Sequence, residues 1–386
     1  MPPSGPKNLS GQRFSVRYHL TGTETAAQAT AASICREQTV EVPDELIPLG
    51  PIREQIVGRL EAFHRVASGA FEATISFAAE TAGTEFTQLL NVIFGNISLQ
   101  PRIRVARVDV PASGFSWLKG PRFGRKGIRT RLAVPDRPLL CTAVKPMGLS
   151  AKELADLAYQ FALGGIDIIK DDHGLADQPF CPFEERVTRC AEAVARSNRE
   201  TGRHCLYAPN VTGPAGVSIQ RALFAKQAGA GGLLISPGLT GWDTMRQLAE
   251  DERLVLPVIM HPALLGSFAT DPHNGLSHYT LFGQLPRLAG ADACIFPTYG
   301  SRFYFSRDDC RSIAEGANDE FGAYRRTFPT PGGGLTFERL PELIEFYGPD
   351  VILLIGGALR QYGPDLVTNC QQFHRFVSRT SAVKAG

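Results

Sequence analysis

Lys170, Asp171, Asp172 and His173 are four consecutive ionisable side chains at the end of the apolar run Gly164-Gly165-Ile166-Asp167-Ile168-Ile169. Packing alone explains such a cluster poorly. Alternate residues of a strand face the same way, which predicts Lys170 and Asp172 on one face and Asp171 and His173 on the other. An oxygen-rich group of this kind can hold a hard divalent cation. The competing account is a polar strand exit carrying surface ion pairs.

Three further stretches carry residue types suited to chemistry. Lys145, in Val144-Lys145-Pro146-Met147-Gly148-Leu149-Ser150, can carry a proton beside a bound cation, or be a surface lysine at a strand end. His261 closes the apolar Val258-Ile259-Met260 and is either a catalyst or a satisfied core histidine. The runs Pro331-Gly332-Gly333-Gly334 and Ile355-Gly356-Gly357 allow successive backbone N–H groups to approach an anion such as a phosphate. Tight turns into helices are the alternative there.

The elements that position these residues alternate. Short apolar runs at 139–145, 167–172, 206–210, 232–236, 256–261, 293–297, 326–330 and 351–355 read as strands. Amphipathic segments at 152–163, 183–197, 218–228, 242–249 and 337–346 read as helices between them. Eight strand–helix repeats predict a (β/α)8 TIM barrel over residues 131–386, with a C-terminal helical tail. In such barrels the C-terminal strand ends form the active face, and Lys145, Lys170–His173, Asn210, His261, Tyr299, Arg302 and both glycine runs fall there.

Upstream, strands are expected at 14–19, 39–42, 71–78 and 103–110, and helices at 24–33, 56–67 and 85–94. Together they predict a compact N-terminal α+β domain over residues 1–130. Residues 1–12, rich in Pro, Gly and Ser, are expected to be mobile. Six basic residues in 119–131 read as a solvated interdomain linker, since no aromatic interleaving supports nucleic-acid binding.

Composition agrees with a soluble protein. The 386 residues are 43% hydrophobic and 20% charged, with a formal net charge of +2, so no charge excess points to nucleic acid or a membrane surface. No apolar run is long enough to span a bilayer. The eight cysteines form no CxxC pair and read as reduced, buried thiols of a cytoplasmic protein.

The Lys145–Ser150 motif, followed by Gly164–Asp172, resembles the large subunit of ribulose-bisphosphate carboxylase (RuBisCO). Asn91-Val92-Ile93-Phe94-Gly95-Asn96 is similar to that family's N-terminal-domain motif, and the glycine runs match its phosphate loops. The resemblance implies a ferredoxin-like α+β domain before the barrel, and a homodimer with active sites at the subunit interface. It further implies CO2-derived carbamylation of Lys170, Mg2+ or another divalent cation held with Asp172 and His173, and proton transfer by Lys145. His261 would be catalytic, and Asn91 would reach in from the other subunit. Gly334, Gly356 and Gly357 would hold one substrate phosphate; Arg302, by its place at the rim after the sixth strand, is read as a further substrate-binding residue.

The departures shape the functional expectation. His173 stands where the family has a glutamate ligand. Met147 alone replaces two residues that include a second lysine. Pro262 stands in place of a phosphate-binding arginine, Leu265 in place of a histidine, and Gly332 in place of a serine; the stretch 297–303 lacks the family's histidine. One phosphate site is kept and the other dismantled, as in RuBisCO-like proteins, the form IV branch that does not fix CO2 on ribulose bisphosphate. The implied reaction is metal-assisted enolisation of a singly phosphorylated keto-sugar or 3-oxo sugar acid, by a lyase or isomerase, leading to decarboxylation or transcarboxylation/hydrolysis. A methylthioribose-salvage enolase or isomerase is the runner-up. A non-catalytic binder of a phosphorylated ligand stays open as a third reading.

Overall fold

A computed structural model describes residues 9–382, so most of the Pro-, Gly- and Ser-rich opening (1–8) lies outside the described residues. The chain divides into two compact units. The first holds the residues up to Lys119 with Leu265–Leu285 and Glu320–Tyr324; the second holds Gly120–Leu264, Pro286–Asp319 and the residues from Arg325 onward. The division is therefore discontinuous in sequence, unlike the single boundary expected at 130.

In the first unit, strands Arg13–Thr21, Arg59–Ala67, Ala70–Ala78 and Ile103–Asp109 form a sheet, which gains the two-residue strand Gly275–Leu276 at one edge. Arg13–Thr21 lies between Ala70–Ala78 and Ile103–Asp109, antiparallel to both. With helices Glu24–Glu37 and Phe86–Phe94 this is the ferredoxin-like order of elements. Phe14, Val16, Tyr18 and Leu20 alternate onto the buried face, and Ala27, Ala31 and Ile34 of the first helix are buried as well.

Two local expectations here are corrected. The segment 56–67 is not a helix; from Arg59 onward it is an exposed edge strand paired with Ala70–Ala78. Leu60, Phe63 and Val66 recur at helical spacing, but Gly69, at φ +67°, turns the chain back into a hairpin. The non-local ladder then overrides a weak local period. The segment 39–42 is not a strand. The N–H groups of Thr39, Val40 and Glu41 all donate to the Arg36 carbonyl and wind up the end of the preceding helix.

The second unit is an eight-stranded parallel barrel of Leu139–Val144, Ile168–Asp171, Leu206–Ala208, Leu233–Ile235, Val258–Met260, Ala293–Pro297, Phe328–Gly332 and Ile352–Leu354. Seven of them coincide with the runs read from the sequence; the seventh strand in order, expected at 326–330, lies two residues further on and takes in Gly332. An Asn210–Leu234 bridge joins the third strand to the fourth and completes the ring. The interior is filled by Leu139, Cys141, Ile168, Ala208, Leu234, Ile259, Ile295, Phe328 and Ile352. The supposed basic linker is a helix, Gly124–Leu132, that buries Ile128 and Leu132 against this same cluster. Its Arg125 and Arg129 pair with Asp350 at 3.1 and 2.8 Å. The charges are the outer face of an amphipathic helix, not a solvated tether. The expected boundary at 130 falls inside it. The helical tail is Leu366–Ala382.

All eight cysteines are buried and unpaired. Among the described residues, no helix is long and apolar enough to cross a membrane.

Candidate active site

The second barrel strand sets the site's geometry. Lys170 points inward and is buried, its Nζ donating to the Asp171 carbonyl at 3.1 Å. Burial holds its pKa below the usual lysine range. Asp171 faces the opposite way and is fully buried: it accepts from Arg186 Nε at 3.1 Å, the Tyr207 hydroxyl at 2.7 Å and the Asn210 N–H at 3.0 Å. That carboxylate belongs to the barrel wall, where a buried arginine and two neutral donors satisfy it.

Strand geometry ends at Asp171, and with it the alternation rule. His173 does not share the face of Asp171. Its Nδ1 lies 3.4 Å from Asp172 Oδ1, and its ring stacks on His261 with centroids 4.1 Å apart and planes 12° apart. Asn210 makes this turn possible, since its side-chain amide donates to the carbonyls of His173 and Leu175 at 3.0 and 2.9 Å.

Asp172 is the hub. Its Oδ2 lies 3.2 Å from Lys145 Nζ, and its Oδ1 accepts from the Gly174 N–H at 3.1 Å. Burial alone would raise its pKa, but the Gly174 N–H and the charges of Lys170 and Lys145 hold it below the usual carboxylate range. His261 is pushed down to about 2, first by burial and then by Lys170. Its Nδ1 accepts from the Ala263 N–H at 3.2 Å, which leaves the proton on Nε2. Burial also lowers the pKa of His173.

Lys145 sits in a turn between the first barrel strand and helix Ala151–Leu163, which Ser150 and Glu153 cap reciprocally. Arg360 grips the Lys145 carbonyl. On the far side, a Cβ built on Gly356 would meet only Lys145 Nζ, at 3.9 Å, and one on Gly357 only Gln361, at 4.0 Å. Neither glycine has a positive φ, so neither backbone strain nor packing requires glycine there. Gly333 and Gly334 do adopt φ of +84° and +70°, as a turn demands. Arg339 braces that turn, donating to the Gly334 and Tyr299 carbonyls. Arg302 is exposed on the loop after the sixth strand, 5.0 Å from the Phe303 ring.

The barrel thus brings Lys145, Lys170, Asp172, His173 and His261 to one rim, with Gly356 beside Lys145. Asn91 belongs to the first unit, exposed on helix Phe86–Phe94 and hydrogen-bonded to Gln88. Asp171 with Arg186, Arg339 and Arg360 carry supporting roles that sequence reasoning missed. Only their contacts reveal them: Arg186 and Arg360 sit on helices and Arg339 in the turn before one.

As metal ligands, the side chains offer one carboxylate (Asp172) and one imidazole (His173). Among the described residues, no three His, Cys, Asp or Glu side chains are grouped to hold a metal ion. Two such ligands are too few for a hard divalent cation, and further oxygens, such as those a carbamate on Lys170 would bring, would be needed to hold one. The buried amine, with its lowered pKa, suits that reaction, since only neutral lysine attacks CO2.

Residues 125–363 match the family described as ribulose bisphosphate carboxylase large chain, catalytic domain. The chain belongs to that family. It is similar to 5-methylthioribulose-1-phosphate isomerase of Rhodospirillum rubrum, 39% identical over 90% of this chain and 91% of that protein. It is 33% identical to 2,3-diketo-5-methylthiopentyl-1-phosphate enolase of Geobacillus thermodenitrificans, over 97% of this chain and 90% of the relative. The crystal structure of a Rubisco-like protein from Rhodopseudomonas palustris superimposes with a TM-score of 0.85 at 38% identity, covering 95% of this chain and 98% of that one.

Proposed function

We propose that the protein enolises a singly phosphorylated ketose bearing a methylthio tail, as an enolase or isomerase. The observation that carries this reading is the placement of Lys145 Nζ, 3.2 Å from Asp172 and 3.9 Å from the Cβ position of Gly356. A phosphate cradled on Gly334, Gly356 and Gly357 sets the adjacent carbons beside that amine. In its neutral form Lys145 takes the proton next to the carbonyl, and Asp172 pairs with the ammonium that forms. His261 presents its Nε2–H to the developing enolate oxygen. Arg302 supplies a mobile positive charge at the mouth. A divalent cation such as Mg2+, held by Asp172, His173 and carbamylated Lys170, would polarise the carbonyl when bound.

The names of the isomerase and enolase relatives support the methylthio reading, so we place it ahead of the 3-oxo sugar acid favoured on sequence grounds. A homodimer in which Asn91 completes the partner's site is part of the same proposal. The test is solvent deuterium incorporation into 5-methylthioribulose 1-phosphate and into a phosphorylated 3-oxo sugar acid. Exchange is expected with the first, to fall by about 10²–10⁴ in Lys145→Ala, and CO2 fixation on ribulose bisphosphate is expected to be absent. Failure to exchange either compound, in protein supplied with Mg2+ and bicarbonate, favours the non-catalytic binder.

A further inference from the structure

We infer that Met147 seats the apolar tail of the substrate, at the end away from its phosphate, and selects a thioether terminus over a hydroxyl. The inference rests on the enolisation reading for where the phosphate sits. It adds the residue that reads the other end.

The contacts run in a fixed succession. Gly356 adjoins Lys145 Nζ, and Lys145 Nζ faces Oδ2 of Asp172. The other oxygen of that carboxylate, Oδ1, faces the Gly174 N–H. A Cβ on Gly174 would come within 2.8 Å of the Met147 methyl. Met147 therefore lies over the loop just past Asp172, its methyl end against Gly174. Anion cradle, ammonium, carboxylate and thioether follow one another in that order. A substrate with phosphate, enolisable carbons and an apolar tail has the same order.

Met147 is 51% exposed beside this charged cluster. Burying its thioether against another apolar group is favourable, and a flexible, polarisable side chain adapts readily to a small sulfur-containing tail. Phe303, another exposed apolar side chain, has its ring edge 4.0 Å from the Cβ position of Gly333. Phe303 thus stands over the phosphate end.

The experiment is calorimetric titration of wild type, Met147→Leu, Met147→Ala and Met147→Lys with 5-methylthioribulose 1-phosphate and with ribulose 1-phosphate, in Mg2+ and bicarbonate. Wild type and Met147→Leu are expected to prefer the methylthio compound by about tenfold or more in Kd. In Met147→Ala and Met147→Lys the preference should shrink to about twofold, through weaker methylthio binding with ribulose 1-phosphate binding little changed. An unselective wild type, or a preference that survives in folded Met147→Ala and Met147→Lys, overturns the inference. Deuterium exchange on the same samples separates the two readings. A flat Kd ratio with exchange intact overturns the role of Met147 alone, and a Met147-dependent ratio without exchange overturns enolisation alone. No binding of either sugar overturns both.

Discussion

His173 and His261 stack face to face, 4.1 Å between ring centroids, from loops that follow the second and fifth barrel strands. Burial lowers the pKa of both rings. The stack presents nitrogen where the carboxylase-like pattern presents a glutamate oxygen. His173→Glu is therefore expected to raise Mg2+ affinity about tenfold, and Lys170→Ala to abolish metal-dependent turnover without unfolding the chain. Metal titration of both variants, with and without bicarbonate, checks this. Unchanged binding in both, together with wild-type activity that survives chelation, would remove the metal from the mechanism.

Gly356 offers a cleaner test of the phosphate cradle than the earlier glycine run. Among the described residues, a Cβ there meets only Lys145 Nζ, at 3.9 Å. Gly356→Val should fold with a Tm close to wild type and raise KM for phosphorylated substrate about tenfold or more, since the side chain enters the space the phosphate needs. A KM equal to wild type in the folded variant means the glycine is only a turn residue.

Arg186 is buried beside Asp171, and also donates to the Cys181 and Ala176 carbonyls at 3.0 and 2.7 Å. Removing it strands a carboxylate in the barrel wall. Arg186→Met is predicted to lose about 3–5 kcal/mol of stability, and the double change with Asp171→Asn to recover part of that loss. Urea denaturation of the single and double variants measures it; equal midpoints for Arg186→Met and wild type refute the assignment.

Acid should weaken the fold through His374. Burial, and then the guanidinium of Arg137, hold it down to about 4 in the folded chain, where its Nε2 lies 3.3 Å from Arg137. The unfolded chain takes up that proton near the ordinary histidine value of about 6.5. The native state therefore binds fewer protons between these values. The stability His374 contributes is present above about 6.5 and is lost as pH falls towards about 4. His374→Gln should flatten this part of the urea-midpoint profile, and an unaltered slope counts against it.

Barrel strands were legible because each is a short, buried, apolar run bounded by turns, a local pattern that tertiary context reinforces. Edge strand Arg59–Ala67 was not, because its nine residues are exposed or half-buried and its identity comes from the neighbour it pairs with. The same holds for helix Gly124–Leu132, whose charges concealed two core residues. Polar types at successive strand ends already marked Lys145, Lys170, Asp172 and His261 in the sequence, since a barrel sends every strand's C-terminal end to one rim.

By itself the sequence determined the two-part architecture, the family and the chemical types gathered at that rim, because periodicity and motif spacing are local properties of the chain. Only the tertiary structure decided which way each type points. It turned His173 off the face of Asp171 and onto His261, gave Asp171 to Arg186, and placed Met147 over Gly174. Those choices depend on residues far apart in sequence filling and hydrogen-bonding a shared space, which no local pattern encodes.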